Sequence, residues 1–131
     1  MNNCTEIKKE ELLHTIIEGI LAKKGKDIIS IDLSGLGHSV CDEFIIAHGD
    51  SGVQVRAIAN HVEERVKEEF NYKVVHKEGY ENLQWVLLDF SDVIVHIFDR
   101  DTRSYYRLEE LWADGDFERV SEAEDFEFKL D

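Results

Sequence analysis

The stretch QWVLLDFSDVIVHIF, residues 84–98, decides how this chain folds. It reads as two strands meeting at Ser91-Asp92, apolar almost throughout yet carrying Asp89 and His96. A two-residue loop and a four-residue loop give the same register: Asp89 opposite Ile94, Leu87 opposite His96 and Trp85 opposite Phe98 on one face. The other face then holds Val86, Leu88, Phe90, Val93, Val95 and Ile97, wholly apolar, and belongs to the core. A three-residue loop would scramble this pairing, and Ser-Asp is a weaker turn signal than Asn-Gly. In the favoured register Asp89 and His96 are diagonal neighbours within hydrogen-bonding reach.

Working outward, residues 6–24 predict a helix, with Leu13, Ile16, Ile17 and Ile20 at helical spacing, Thr5 as its cap and Gly25 at its end. DIISIDLSG (27–35) follows as a strand, alternating Ile29, Ile31 and Leu33 with Ser30 and Asp32 so that one face is buried. The glycines of GLGHS mark a loop, and EFIIAHG (43–49) is a second strand. Residues 51–70 carry the clearest helical stripe, Val55, Ile58, Ala59, Val62, Val66 and Phe70, with Asp50 or Ser51 as N-cap. KVVH (73–76) reads as a short strand. DRDTR (99–103) reads as a polar turn, and SYYRLEELW (104–112) as an extended piece entering a short helix. The alternation of helices and strands predicts an α/β class, a mixed β-sheet flanked by helices, with at least one antiparallel pair.

The 131 residues make one domain of ordinary size, and 43% hydrophobic content is enough for a core without disulfide or metal. Residues 1–112 read as that domain and 113–131 as a mobile, solvated acidic tail, in which the alternating Phe126, Phe128 and Leu130 also suit an edge strand. Fifteen basic against 29 acidic residues give a net charge of −14, which repels phosphate and argues against DNA or RNA binding through a basic surface. The same charge favours encounter with a basic protein. Cys4 and Cys41 form no CxxC pattern, no apolar run approaches a membrane span, and MNNCTEIKKEE has no signal-peptide core; a reducing cytoplasm is the expected home.

Chemistry-bearing patterns are sparse. The six histidines form neither HxxxH nor HExxH, so no metal ligand set is assigned, and no cofactor is implied. No serine sits in a GxSxG elbow, and Cys41 at the head of an apolar strand reads as a small hydrophobe. GDSG (49–52) reads as a strand-to-helix turn with an acidic cap more readily than as a phosphate cradle. A magnesium-dependent nucleotidyltransferase would need Asp89, Asp92, Asp99 or Asp101 to converge, and these acids sit where turn formers sit. Trp85, Phe98, Tyr105, Tyr106 and Trp112 are of the kind that grips protein partners, or that packs a core.

EGY (78–80), WVLLDFSDVIVHIF (85–98) and TRSYYRLEELWAD (102–114) resemble the signature of the ribosomal silencing factors, also called the Iojap family. DIISIDLSG, CDEFIIAHGDS and QVRAIANHVEE are similar to that family's earlier segments in the same order, so the resemblance spans about residues 6–114. It implies a nucleotidyltransferase-like α/β fold without catalysis, and homodimers. It also implies binding to the large ribosomal subunit through its protein numbered fourteen, where bulk blocks joining of the small subunit. By position it puts Trp85, Asp89, His96 and Phe98 on the contact face, with Tyr106, Leu108, Leu111 and Trp112 from the YxLxxLW element and Glu78 and Gly79 from the preceding EG. Four departures stand out: Ser91-Asp92 at a hairpin tip that is usually Gly-Asp, Asp50 at a usual Thr, Asn60 at a usual Asp, and an acidic tail longer than many members need.

Overall fold

The computed structural model of the protein describes residues 8–33, 41–107 and 116–120. In chain order the elements are α1 (Lys9–Ala22), β1 (Lys26–Asp32), β2 (Glu43–Gly49), α2 (Gly52–Phe70), β3 (His76–Glu78), β4 (Trp85–Asp89), β5 (Val93–Asp99), α3 (Arg100–Tyr106) and β6 (Asp116–Val120). The strands form one six-stranded mixed sheet in the order β3-β4-β5-β2-β1-β6. β2 and β5 run parallel, and every other neighbouring pair is antiparallel.

The hairpin adopts the expected register, with Trp85 opposite Phe98, Leu87 opposite His96 and Asp89 opposite Ile94. Its tip is held by Asp89, whose Oδ1 accepts from the Ser91 amide at 2.7 Å, and by the Phe90 amide donating to Val93 O at 2.9 Å. Ser91 takes a φ of 78°, the left-handed region that favours glycine. The side chains Val86, Leu88, Phe90, Val93, Val95 and Ile97 all point into one core, where they meet Ile16, Ile17 and Ile20 of α1 and Val55, Ile58, Ala59, Val62 and Val66 of α2. Arg65 on α2 donates to Glu18 on α1 at 2.9 Å and joins the two helices at their outer surface.

The opposite face of the sheet has its own apolar cluster: Ile29, Ile31, Leu33, Cys41, Phe44, Ile46 and Phe98, with Trp85 and Ile94 at its margin. β2 lies between β5 and β1 and is buried at every residue, because both of its faces are covered. β1 departs from the expected one-sided burial for the same reason, and Ser30 is buried.

Other boundaries also shift. α1 starts at Lys9 with Lys8 as an N-cap that makes no side-chain bond; Thr5 lies outside the described residues. Gly25 is required by space, since a Cβ there would meet Ile20 Cγ2 at 2.2 Å. Ser51 caps α2 by accepting from the Gln54 amide at 3.2 Å. The short strand is His76–Glu78, not KVVH, because the segment before it is tied by Tyr72 Oη donating to Phe90 O and by the Val75 amide donating to Asp89 O. DRDTR is no turn: Asp99 Oδ1 accepts from the Thr102 amide at 2.8 Å and starts α3 directly from the strand end.

Residues 116–120, assigned above to a mobile tail, instead add to β1 as strand β6, with Ile28 opposite Val120 and Asp32 opposite Asp116. The physical reason is that β1 would otherwise present an unpaired edge of backbone donors and acceptors. The loop GLGHS and Phe126, Phe128 and Leu130 lie outside the described residues.

Leu88 is fully buried whereas its neighbour Leu87 is only half-buried. Leu88→Ala is expected to lower the urea-measured stability by about 2–5 kcal/mol, and Leu87→Ala by clearly less. A register displaced by one residue would reverse that order.

Candidate functional site

The sheet face away from α1 and α2 is built in cross-strand rows. The outermost row runs Lys26 on β1, His48 on β2, Phe98 on β5 and Trp85 on β4, each opposite the next. The row inside it runs Ile29, Ile46, His96 and Leu87, and the next Ile31, Phe44, Ile94 and Asp89. Period-two side-chain alternation therefore gathers three aromatic rings and two imidazoles from strands far apart in the chain.

Trp85 is the centre of this face. Its indole stacks on Phe98, with centroids 4.9 Å apart and planes 29° apart. Its Nε1–H donates to His96 Nδ1 at 3.0 Å. His96 is 4% exposed and lies edge-on to Phe44, with centroids 4.7 Å apart. Since Nδ1 accepts the indole proton, the neutral ring carries its own hydrogen on Nε2. That nitrogen is buried with no hydrogen-bond partner among the described residues. Burial pushes the His96 pKa down to about 4. Phe98 is fully buried, while Trp85 keeps part of its surface open.

The structure thus corrects one element of the sequence reading. Asp89 and His96 do not bond to each other: Asp89 turns back to the Ser91 amide, and His96 is taken by Trp85. His96 and Phe98 support the indole from beneath, and the open surface around it comes from Trp85, Leu87, Asp89 and Ile94, with Lys26 at the far end of the row. Glu78 is exposed at the end of β3. Gly79, with φ 95°, packs its backbone against Trp85; a Cβ there would fall 2.0 Å from Trp85 O. Tyr106 is the last residue of α3, and Leu108, Leu111 and Trp112 lie outside the described residues.

Two supports escaped the sequence reading. Tyr80 Oη donates to Glu63 Oε2 at 2.6 Å, and Lys77 Nζ reaches Glu63 Oε1 at 3.2 Å, so α2 grips the loop that carries Glu78 and Gly79. Burial, and then the Glu63 carboxylate, push the Tyr80 pKa up, so the phenol stays protonated. On the other flank Arg103 of α3 donates to His48 Nδ1 at 3.0 Å. Burial, and next the Arg103 guanidinium, hold the His48 pKa below its usual range. These partners stand 17, 14 and 55 positions apart, and no local motif signals such pairs.

The four aspartates considered for magnesium chemistry do not meet. Asp89 and Asp92 stand at the hairpin tip, and Asp99 at the far end of β5 with Asp101 just past it, roughly 20 Å away for a seven-residue strand. Among the described residues no three His, Cys, Asp or Glu side chains form a metal-ligand group. Cys41 is buried, and burial above all pushes its thiol pKa up to about 11, the opposite of an activated nucleophile. Among the described residues no helix is long and apolar enough to cross a membrane.

What fold and face define is a mixed α/β domain that presents a partly open aromatic surface held from below. The chain belongs to the ribosomal silencing factor family: the family model described as ribosomal silencing factor during starvation matches residues 6–129. That match runs through most of the segment set apart above as a tail. A ribosomal silencing factor of Halalkalibacterium halodurans is 39% identical over 109 residues, 83% of this chain and 92% of that one. The Bacillus subtilis ribosomal silencing factor is 44% identical over 93 residues, 71% of this chain and 77% of its own length. A crystal structure of a Chromobacterium violaceum protein, 41% identical, superposes with a TM-score of 0.77 over 82% of this chain and 88% of that one. The chloroplastic Iojap protein of Zea mays is 38% identical over 72 residues, 55% of this chain and 31% of its own.

Two outcomes test this geometry. An unfolded histidine takes up a proton from about pH 6.5 downward, while His96 in the fold resists until about pH 4. Stability therefore falls as pH drops through that window, by on the order of 3 kcal/mol from this residue. His96→Gln keeps an acceptor for the indole without titrating. Urea midpoints between pH 4 and 7 should accordingly show a shallower acid slope for the variant. Gly79→Ala is expected to destabilise by about 1–3 kcal/mol and to shift the tryptophan emission, because the loop must lift from Trp85.

Proposed function

We propose that this protein represses translation by binding the large ribosomal subunit through the protein numbered fourteen, and that its bulk then blocks joining of the small subunit. The observation that carries the reading is Trp85. It is fixed in orientation by the His96 bond and the Phe98 stack yet remains partly open. A large aromatic group whose rotamer is already set loses little freedom on binding, which suits a hot spot in an interface. Family membership supports the ribosome as the site of action, and the net charge of −14 suits a basic ribosomal protein. In this reading the nucleotidyltransferase-like fold serves as a steric scaffold without catalysis, and the protein works in the cytoplasm. The family resemblance also implies pairing of two copies when the protein is free. Glu78, Gly79 and Asp89 join Trp85 in the contact, with His96 and Phe98 as its support, and the family resemblance adds Tyr106, Leu108, Leu111 and Trp112 of the YxLxxLW element to the contact set.

Sedimentation of the full chain with purified large subunits tests this. The protein is expected to travel with the subunit and to reduce formation of joined ribosomes. Trp85→Glu should weaken the association at least about tenfold while the variant still unfolds cooperatively, at a lower midpoint because His96 loses its partner. A wild-type protein that stays at the top of the gradient at moderate salt would overturn the reading. An unfolded Trp85→Glu variant would instead make Trp85 a core residue.

A further inference from the structure

The segment beside Trp85 is held from the far side of the sheet. β3 has three residues, all exposed, and among the described residues it pairs with β4 alone. So short an edge strand has few backbone bonds with which to fix its own position. Its side chains alternate between the two faces. Glu78 stands opposite Leu87, on the face that carries Trp85, whereas Lys77 stands opposite Leu88, which points into the core under α2. The chain then turns at Gly79, φ 95°, with its backbone against the Trp85 peptide. The turn closes where the Leu83 amide donates to Gly79 O at 2.9 Å.

Glu63 of α2 takes hold of this segment at two places. Its Oε2 accepts from the Tyr80 hydroxyl at 2.6 Å, and its Oε1 accepts from Lys77 Nζ at 3.2 Å. Lys77 Nζ also lies 5.3 Å from the centre of the Tyr80 ring. One carboxylate therefore grips the residues on either side of Glu78-Gly79, through bonds strengthened by its charge. The Glu63 side chain is 20% exposed, so water screens these bonds only in part. The Tyr80 ring and Leu83 pack at the margin of the main core, while Glu81 and Asn82 at the tip of the turn are exposed. α2 itself packs on the face of the sheet opposite to Trp85.

We propose that Glu63 is a positioning residue for the partner contact: through Lys77 and Tyr80 it fixes Glu78 and Gly79 against Trp85 and so sets the geometry that the partner meets. The inference rests on the ribosome-binding reading above and adds to it a residue that lies outside the contact. Without these bonds Glu78 and Gly79 would have to be ordered as the partner arrives, and that ordering would weaken the complex.

The test combines dissociation rates from purified large subunits with amide hydrogen exchange of the free, full chain. Tyr80→Phe removes one hydroxyl and leaves the ring in place. It is expected to speed exchange in residues 79–84 on the order of tenfold, with residues 55–62 of α2 unchanged. It should also speed dissociation about three- to tenfold. Glu63→Ala should do at least as much, and adding Tyr80→Phe to it should cost nothing further, because the two side chains share one bond. Glu63→Gln keeps an acceptor for the phenol and should restore part of the loss. Arg65→Gln removes the Glu18 ion pair from the same helix and should lower stability without changing dissociation. Wild-type exchange in the turn of Tyr80→Phe would overturn the hold. Faster exchange with wild-type dissociation would overturn its role in the contact. Equal acceleration by Arg65→Gln would reduce the effect to general stability and overturn it as well. A wild-type protein that does not travel with the subunit would overturn the ribosome reading itself, and the partner role of Glu63 with it.

Discussion

Cross-strand register between β4 and β5 is the constraint from which the functional face follows. One face of that hairpin is wholly apolar and fully buried, so a shift by one residue would drive six large side chains into water. With that register set, Trp85, Phe98, Leu87 and His96 must share the other face, and parallel pairing of β5 with β2 adds Phe44 and His48. The indole–imidazole hydrogen bond is thus a consequence of backbone pairing, made specific by the burial of an imidazole that has no other described partner for Nδ1.

Burial of that imidazole links stability to the face that would meet a partner. A neutral His96 accepts the indole proton; a charged one would have to donate, and the bond to Trp85 would be lost. The same low polarity that keeps His96 neutral also leaves its Nε2–H without a described acceptor. The cost of this unsatisfied group is carried by the dense packing of Phe44, Phe98 and Ile46 around it. Both flanks of the face are then fastened to helices, by Glu63 of α2 through Tyr80 and Lys77, and by Arg103 of α3 through His48.

The distribution of charge qualifies what composition alone conveys. A net −14 describes the average surface, and long-range encounter follows that average. Short-range contact follows local charge, and β1 pairing with β2 brings the α1–β1 turn, the β2–α2 turn and α3 to one corner.

Hairpin register, the two long helices and the mixed α/β class were legible in the sequence, because periodicity of two or of 3.6 is a local property of neighbouring residues. The residues at the candidate face were legible too, through Trp85, His96 and Phe98. Their roles were not: which of them stays open depends on what covers the sheet, and His96 chose Trp85 over Asp89 through side-chain geometry that spacing does not encode. The start of α3 at Asp99 was missed because a capping aspartate and a turn-forming aspartate look alike in a sequence. Strand β6 was hidden in acidic composition, since edge pairing is driven by the backbone of β1 and not by side-chain pattern. Tertiary structure alone decided the Glu63 grip and the Arg103–His48 bond, for each joins residues that only the folded sheet makes neighbours.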